Sequence, residues 1–126
     1  SAYSKNYKVK GEYKFTAVYS PSHFTACGES YNVPKDRTFE IKFDANVNSL
    51  SAIKTLFVSA DEAGNGERVS IIIQPDGNTV KISPVKEWTV GDIYVFVKES
   101  ICDTAGNKLG KNLKYKLNIR GGSDET

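Results

Sequence analysis

The sequence predicts an all-β chain folded as an antiparallel sandwich of about seven short strands. Three observations predict it. Apolar and polar residues alternate over several stretches, no stretch repeats its apolar residues at helical spacing, and clusters of Gly, Asn, Asp and Pro break the chain at regular intervals. Two sheets packed face to face bury one side of each strand, and alternation of this kind is what that burial requires.

At 126 residues with one hydrophobic pattern throughout, the chain is long enough to bury a core without metal or disulfide staples, and it reads as one domain. Residues 1–12 read as an N-terminal extension or the start of the first strand, 13–120 as the sandwich, and the Gly- and Ser-containing residues 121–126 as a linker or tail. A formal charge of +2, with acidic and basic residues interspersed, implies neither nucleic acid nor a polybasic membrane anchor as partner. No apolar run approaches the roughly 18 residues that insertion in a membrane needs. The sequence lacks Met, opens on Ser1-Ala2 and shows no signal peptide, so a processed piece of a longer protein is expected.

Residues 88–109 organise the rest. Val90-Gly91-Asp92 makes a tight turn in which Gly91 is free to take a positive φ. Ile93 to Val97 are five consecutive apolar residues, too few for a helix and suited to a strand covered on both sides. Asp103-Thr-Ala-Gly-Asn107 closes the stretch, with Asp and Asn able to bond their own backbone while Gly106 and Asn107 tolerate the left-handed region.

From Tyr7 to Tyr19 the alternation indicates one long strand or two collinear ones, with Gly11 marking a bulge or bend. Residues 20–30 read as a long loop by composition. Residues 37–43 are a strand with Phe39, Ile41 and Phe43 inward. Residues 44–52 read as polar loop, with room for one helical turn. Residues 53–60 form a strand whose inward face is either Leu56 and Val58 or Ile53 and Phe57. The turn-rich residues 61–66 predict that 67–74 return antiparallel to that strand, showing Val69, Ile71 and Ile73 to the core. Residues 75–78 turn, 79–83 are a strand with Val80 and Ile82 inward, and 113–119 are the last strand, with Leu113, Tyr115, Leu117 and Ile119 inward.

With these motifs in order, the chain resembles the bacterial Ig-like domains. The resemblance runs from about Tyr13 to Arg120 and is carried by Asn32-Val-Pro34, Thr38-Phe-Glu-Ile-Lys-Phe43, Asp76-Gly-Asn78-Thr-Val80, Val90-Gly-Asp-Ile-Tyr94 and Asp103-Thr-Ala-Gly-Asn-Lys-Leu109. A longer insertion at residues 22–27 and the N-terminal extension depart from it. The resemblance implies an immunoglobulin-like strand order and a module found on secreted and cell-surface bacterial proteins. It also places Tyr94 where Ig-type sandwiches have a tyrosine whose hydroxyl bonds back to the preceding connection. Phe96 then takes the place of the inter-sheet cysteine, packing against Phe39, Ile41 and Phe43. Cys27 and Cys102 are either two thiols or one long-range bridge. In an Ig order they fall at opposite ends of the sandwich, against the roughly 7 Å Cα separation that a bridge needs.

No catalytic centre is expected. The lone His23 lies in a loop, and no HExxH, Gly-x-Ser-x-Gly or P-loop occurs. The acidic turns at Asp44, Asp61-Glu62 and Asp103 lack EF-hand spacing and read as turn stabilisers, so no metal or other cofactor is predicted. Neither Lys nor Asn lies on the inward faces of 37–43 and 113–119, which argues against an isopeptide crosslink.

Two surfaces are candidates for binding. If the first and last strands lie side by side, Lys8, Lys10, Lys14, Lys114, Lys116 and Arg120 form a cationic stripe for an anionic glycan, a cell-wall polymer or an acidic protein. The same lysines would equally blunt a sheet edge against aggregation. The second surface is the 20–30 loop, with His23 and Phe24 near its tip and Tyr31 beside it. The expected role is a non-catalytic spacer or adhesion unit, extracellular or on the cell surface, whose partners include neighbouring domains of its own chain. The competing expectation is a carbohydrate-binding accessory domain of a secreted enzyme, for which Trp88, Tyr31 and Tyr3 are the available exposed aromatics.

Overall fold

The computed structural model describes the backbone of residues 6–8 and all of residues 24–121. In chain order the elements are strands β1 (Asn6–Lys8), β2 (Thr25–Val33) and β3 (Phe39–Lys42), helix α1 (Ser49–Thr55), and strands β4 (Leu56–Ser59), β5 (Ile71–Asp76), β6 (Thr79–Pro84), β7 (Gly91–Val97) and β8 (Leu113–Ile119). They form two four-stranded sheets, ordered β1-β3-β6-β5 and β2-β8-β7-β4. Neighbours are antiparallel except for two parallel pairs, β1 with β3 and β2 with β8. The chain is therefore an all-β sandwich of immunoglobulin-like type.

The core lies between the sheets. Phe39, Ile41, Val80 and Ile82 from one sheet meet Val58, Ile93, Val95, Leu117 and Ile119 from the other, all buried. Each such side chain contributes on the order of 1.5–3 kcal/mol by leaving water. The edge strand β5 adds Ile71 and Ile73, half-buried against this core together with Val69.

Each end of the sandwich is closed by main-chain hydrogen bonds. At one end the β3–α1 link is tied to the Gly77-Asn78 hairpin by Phe43 N–H to Asn78 C=O and Val47 N–H to Gly77 C=O, at 2.7 and 2.9 Å. The β7–β8 connection joins there through Asn48 N–H to Cys102 C=O and Thr104 N–H to Asn46 C=O. At the other end Trp88 is buried, giving its main-chain N–H to Lys35 C=O and its indole N–H to Arg37 C=O at 2.7 and 2.6 Å.

Several expectations are corrected. Residues 25–33 are a strand: β2 is a largely exposed edge strand interrupted after Ala26 and after Ser30, with Gly28 at φ 155° and Asn32 at φ 57°, so it lacks the alternation that marks a half-buried strand. Residues 49–55 are helical. Asn48 caps them, its side chain accepting from Ser51 N–H at 2.9 Å, and Ser51 Oγ bonds the Cys102 main chain, so the helix is held by a tertiary contact that alternation cannot reveal. The strand after it shows Leu56 and Val58, and neither Ile53 nor Phe57, to the core.

Residues 67–74 do not form a hairpin with residues 53–60. The chain crosses from β4 to the opposite sheet, where β5 pairs with β6; only an isolated bridge between Ser59 and Arg68 marks the crossing. Cys27 lies within β2, its Sγ directed at Lys114 C=O at 3.3 Å, while Cys102 lies on the β7–β8 connection; no disulfide joins them. The strand expected over residues 9–19, the bulge at Gly11 and the linker at 122–126 lie outside the described residues.

Candidate functional site

Because β7 alternates Ile93, Val95 and Val97 into the core, Tyr94 and Phe96 point to the outward face of the β2-β8-β7-β4 sheet. This corrects the expected role of Phe96. It does not face Phe39, whose ring pairs instead with Tyr115 at 5.1 Å. Phe96 stacks on its cross-strand partner Phe57, centroids 4.7 Å apart and planes 11° apart, and takes the edge of Phe24 at 4.8 Å. The Arg68 guanidinium lies 3.6 Å from the Phe57 centroid, and the loop backbone at Gly64 covers the rings. Phe24 is thus half-buried packing, with no free face at a loop tip.

Tyr94 does not make the expected corner bond; its hydroxyl has no hydrogen-bond partner among the described residues. Burial raises its pKa, as do the nearby Glu62 and Asp92. The buried tyrosine that ties strands together is Tyr115, whose hydroxyl lies 2.5 Å from Ser30 Oγ, linking β8 to β2.

Toward the other end of this face the ladder sets Lys116 beside Tyr94, Lys114 beside Phe96, Asn118 beside Asp92 and Glu29 beside Lys116. A shallow polar depression results, lined by Glu29, Glu62, Asp92, Tyr94, Lys114 and Lys116. Both of its lysines are paired within it. Lys116 Nζ lies 3.6 Å from Asp92 and Lys114 Nζ 3.6 Å from Glu62, while Asp92 also accepts from the Asn118 amide at 2.7 Å. Burial pushes the Lys116 ammonium down, but Asp92, Tyr31 and Tyr94 outweigh it and raise the pKa, so the charge is held. At the rim Tyr31, 47% exposed, bonds the Glu29 carboxylate, which raises the phenol pKa, and its ring lies 5.5 Å from Lys116 Nζ.

The cationic stripe is therefore not assembled as expected. β1 pairs with β3, so Lys8 belongs to the sheet opposite Lys114 and Lys116. Lys114 and Lys116 face three carboxylates, and Arg120 stands exposed just past β8. Lys10, Lys14 and His23 lie outside the described residues, as does Tyr3. Trp88 is 1% exposed and so is not an aromatic platform, leaving Tyr31 as the exposed member of the expected glycan-binding set among the described residues. Sequence reasoning missed Glu29, on a segment read as loop, and Arg68, on a segment read as a strand paired with 53–60, and took Glu62 only as a turn residue; all three reach this face through the strand order. Among the described residues no three His, Cys, Asp or Glu side chains are grouped to hold a metal ion.

Residues 20–118 match the family described as "Bacterial Ig-like domain". Among solved structures, the crystal structure of the N-terminal part of the bacterial S-layer protein SbsC is similar, with a TM-score of 0.54 and 14% identity over 74% of this chain. The match occupies 23% of that longer chain. No curated protein matches the sequence.

Proposed function

Since the chain belongs to the bacterial Ig-like domain family, we propose that it is a non-catalytic spacer module of a bacterial surface protein. The observation that carries this reading is the parallel pairing of β2 with β8. Thr25 lies level with Leu113 and Val33 level with Ile119, and the pair is bolted at its two ends by Thr25 N–H to Asn112 C=O and Arg120 N–H to Val33 C=O, at 2.8 and 3.0 Å. Between Phe24 and Gly121 the chain runs from one end of the sandwich to the other, while β1, parallel to β3 on the opposite sheet, has Asn6 toward the end at which Gly121 leaves. Seven residues of β8 set the ends on the order of 20–25 Å apart. A tension applied between Phe24 and Gly121 loads the β2–β8 bonds together in shear, so that this segment would bear load between the residues on either side of it.

The surface setting is supported by the family and by a fold shared with part of an S-layer protein. The spacer role, over adhesion, is supported by the internal pairing of Lys114 and Lys116 and by the burial of Trp88. Titration of the purified chain against cell-wall polymer, heparin and a glycan array tests it. The expected result is no saturable binding below about 1 mM. Saturable binding lost on Lys114→Ser with Lys116→Ser, or on Tyr31→Ala, would replace the spacer by an adhesion unit.

A further inference from the structure

The three sheet edges described over four residues or more are unequal. β2 is broken by two register shifts, and β4 is four residues long with its Val58 C=O taken by Val69 N–H at 2.7 Å. β5 runs six residues in unbroken register and carries three consecutive isoleucines. Its outward-pointing main chain follows from the ladder. Phe43 N–H bonds Asn78 C=O, so Val80 and Ile82 bond toward β3 while Thr79, Lys81 and Ser83 bond toward β5. Their partners Asp76, Gln74 and Ile72 then spend their N–H and C=O groups on β6. Ile71, Ile73 and Pro75 direct theirs away from the sheet, and Pro75, having no N–H, is compatible only with such a position. Among the described residues nothing bonds the N–H of Ile71 or Ile73.

We infer that β5 is a strand-addition edge whose occupant is β5 of a second copy of this chain, paired antiparallel about a two-fold axis at Ile72. In that register Ile71 lies opposite Ile73 of the second copy, and the reverse. All four N–H groups and all four carbonyls of these residues are then satisfied by four hydrogen bonds. Pro75 falls outside the paired segment and ends it. Ile72, 46% exposed on the outward face, meets its own symmetry mate in a non-hydrogen-bonded pair, where side chains approach most closely. Ser70 meets Gln74, so no like charges are opposed; Asp76, the one charged residue of β5, lies beyond the pairing. The two β1-β3-β6-β5 sheets become one sheet running through both copies. A two-fold contact uses the same patch twice and closes at the dimer.

Sedimentation of the full 126-residue chain in reductant, from about 10 μM to about 1 mM, reads the association. The expected result is a reversible dimer in which the Ile71 and Ile73 amides become protected from hydrogen exchange as concentration rises. Ile72→Lys opposes two ammonium groups across the axis and weakens dimerisation by about tenfold or more. Ile72→Glu does the same alone, and mixing the two variants restores a dimer. Because Ile72 is an exposed side chain, both variants keep the monomer fold, verified by unchanged circular dichroism. A chain that stays monomeric across the range, or a dimer whose Ile71 and Ile73 amides exchange freely, or failure of the Lys and Glu variants to rescue each other, would overturn the proposal. Protection of those amides only on adding a different protein would assign the edge to that partner instead.

Discussion

Two apolar clusters share the β2-β8-β7-β4 sheet, one on each of its faces, and they are built differently. The inward cluster is a mostly aliphatic layer with Phe39, Phe43, Trp88 and Tyr115 set into it, closed over by a second sheet. The outward cluster is three phenylalanines, Phe24, Phe57 and Phe96, with no second sheet to cover them; a guanidinium and a glycine-containing loop do so instead. The first depends on volume, since a close-packed interior feels each missing methylene. The second depends on a cation above a ring and on backbone that can approach a ring edge, both of which are local and replaceable one residue at a time. Their responses to mutation should therefore separate.

The largest expected loss is in the first cluster. Trp88→Ala removes a side chain 1% exposed and should cost about 3–5 kcal/mol, a large share of the roughly 5–15 kcal/mol that holds a domain folded. Trp88→Phe retains most of the ring but loses the 2.6 Å hydrogen bond that the indole N–H gives to Arg37 C=O, and should cost about 1–2 kcal/mol. Urea unfolding reads both; a Trp88→Ala loss under 1 kcal/mol would mean that Trp88 does not close its end of the sandwich as described.

In the second cluster the sensitive position is Gly64. Its φ is +79°, and an added Cβ would come within 3.2 Å of Phe96 and 3.4 Å of Phe57. Gly64→Ala should cost about 1–3 kcal/mol. Gly106, at φ +90° with nothing within 4 Å of an added Cβ, is the control: Gly106→Ala carries the backbone strain alone and should cost about 1 kcal/mol. Equal losses at the two sites would show that the loop does not rest on the aromatic pair.

The same contrast explains what was legible in the sequence. Strand β8 has the bounds its alternation predicts, because Leu113, Tyr115, Leu117 and Ile119 all face one covered side. β7 was legible as a strand but its parity was not: with both faces covered, Ile93 to Val97 are apolar without a break, and a one-residue choice moves Phe96 from core to outer face. β2 was hidden because an exposed, bulged edge strand has loop composition, and α1 because a seven-residue helix is held by Cys102 from far along the chain. The neighbours of Lys114 and Lys116 depend on strand order and on Glu29 and Glu62, so the pairing of these lysines was beyond a reading of spacing. A lone Trp reads as either platform or core; only the Lys35 and Arg37 carbonyls that accept from it decide.

Smaller is the coupling between Arg68 and Phe57. An exposed guanidinium 3.6 Å above a ring centroid should show about 0.5–1 kcal/mol in a double-mutant cycle of Arg68→Ala with Phe57→Leu. An uncoupled pair would leave the loop backbone as the sole cover of the outward cluster.

Smallest is an acid response from a place that belongs to neither cluster. Burial pushes the Asp103 carboxyl up, but it accepts from the main-chain N–H groups of Asn107 and Ala105 and from the Asn107 amide, and the net pKa lies below the ordinary carboxylate value. A carboxyl held below its unfolded value adds stability that is complete above the unfolded pKa and is lost as pH falls through the folded one. Unfolding free energy should therefore decline below about pH 4. In Asp103→Asn, which carries no titrating group there, the decline should be shallower. The two apolar clusters are untouched by this substitution, so its slope isolates the turn; a wild-type slope in the variant would assign the acid response to other carboxylates.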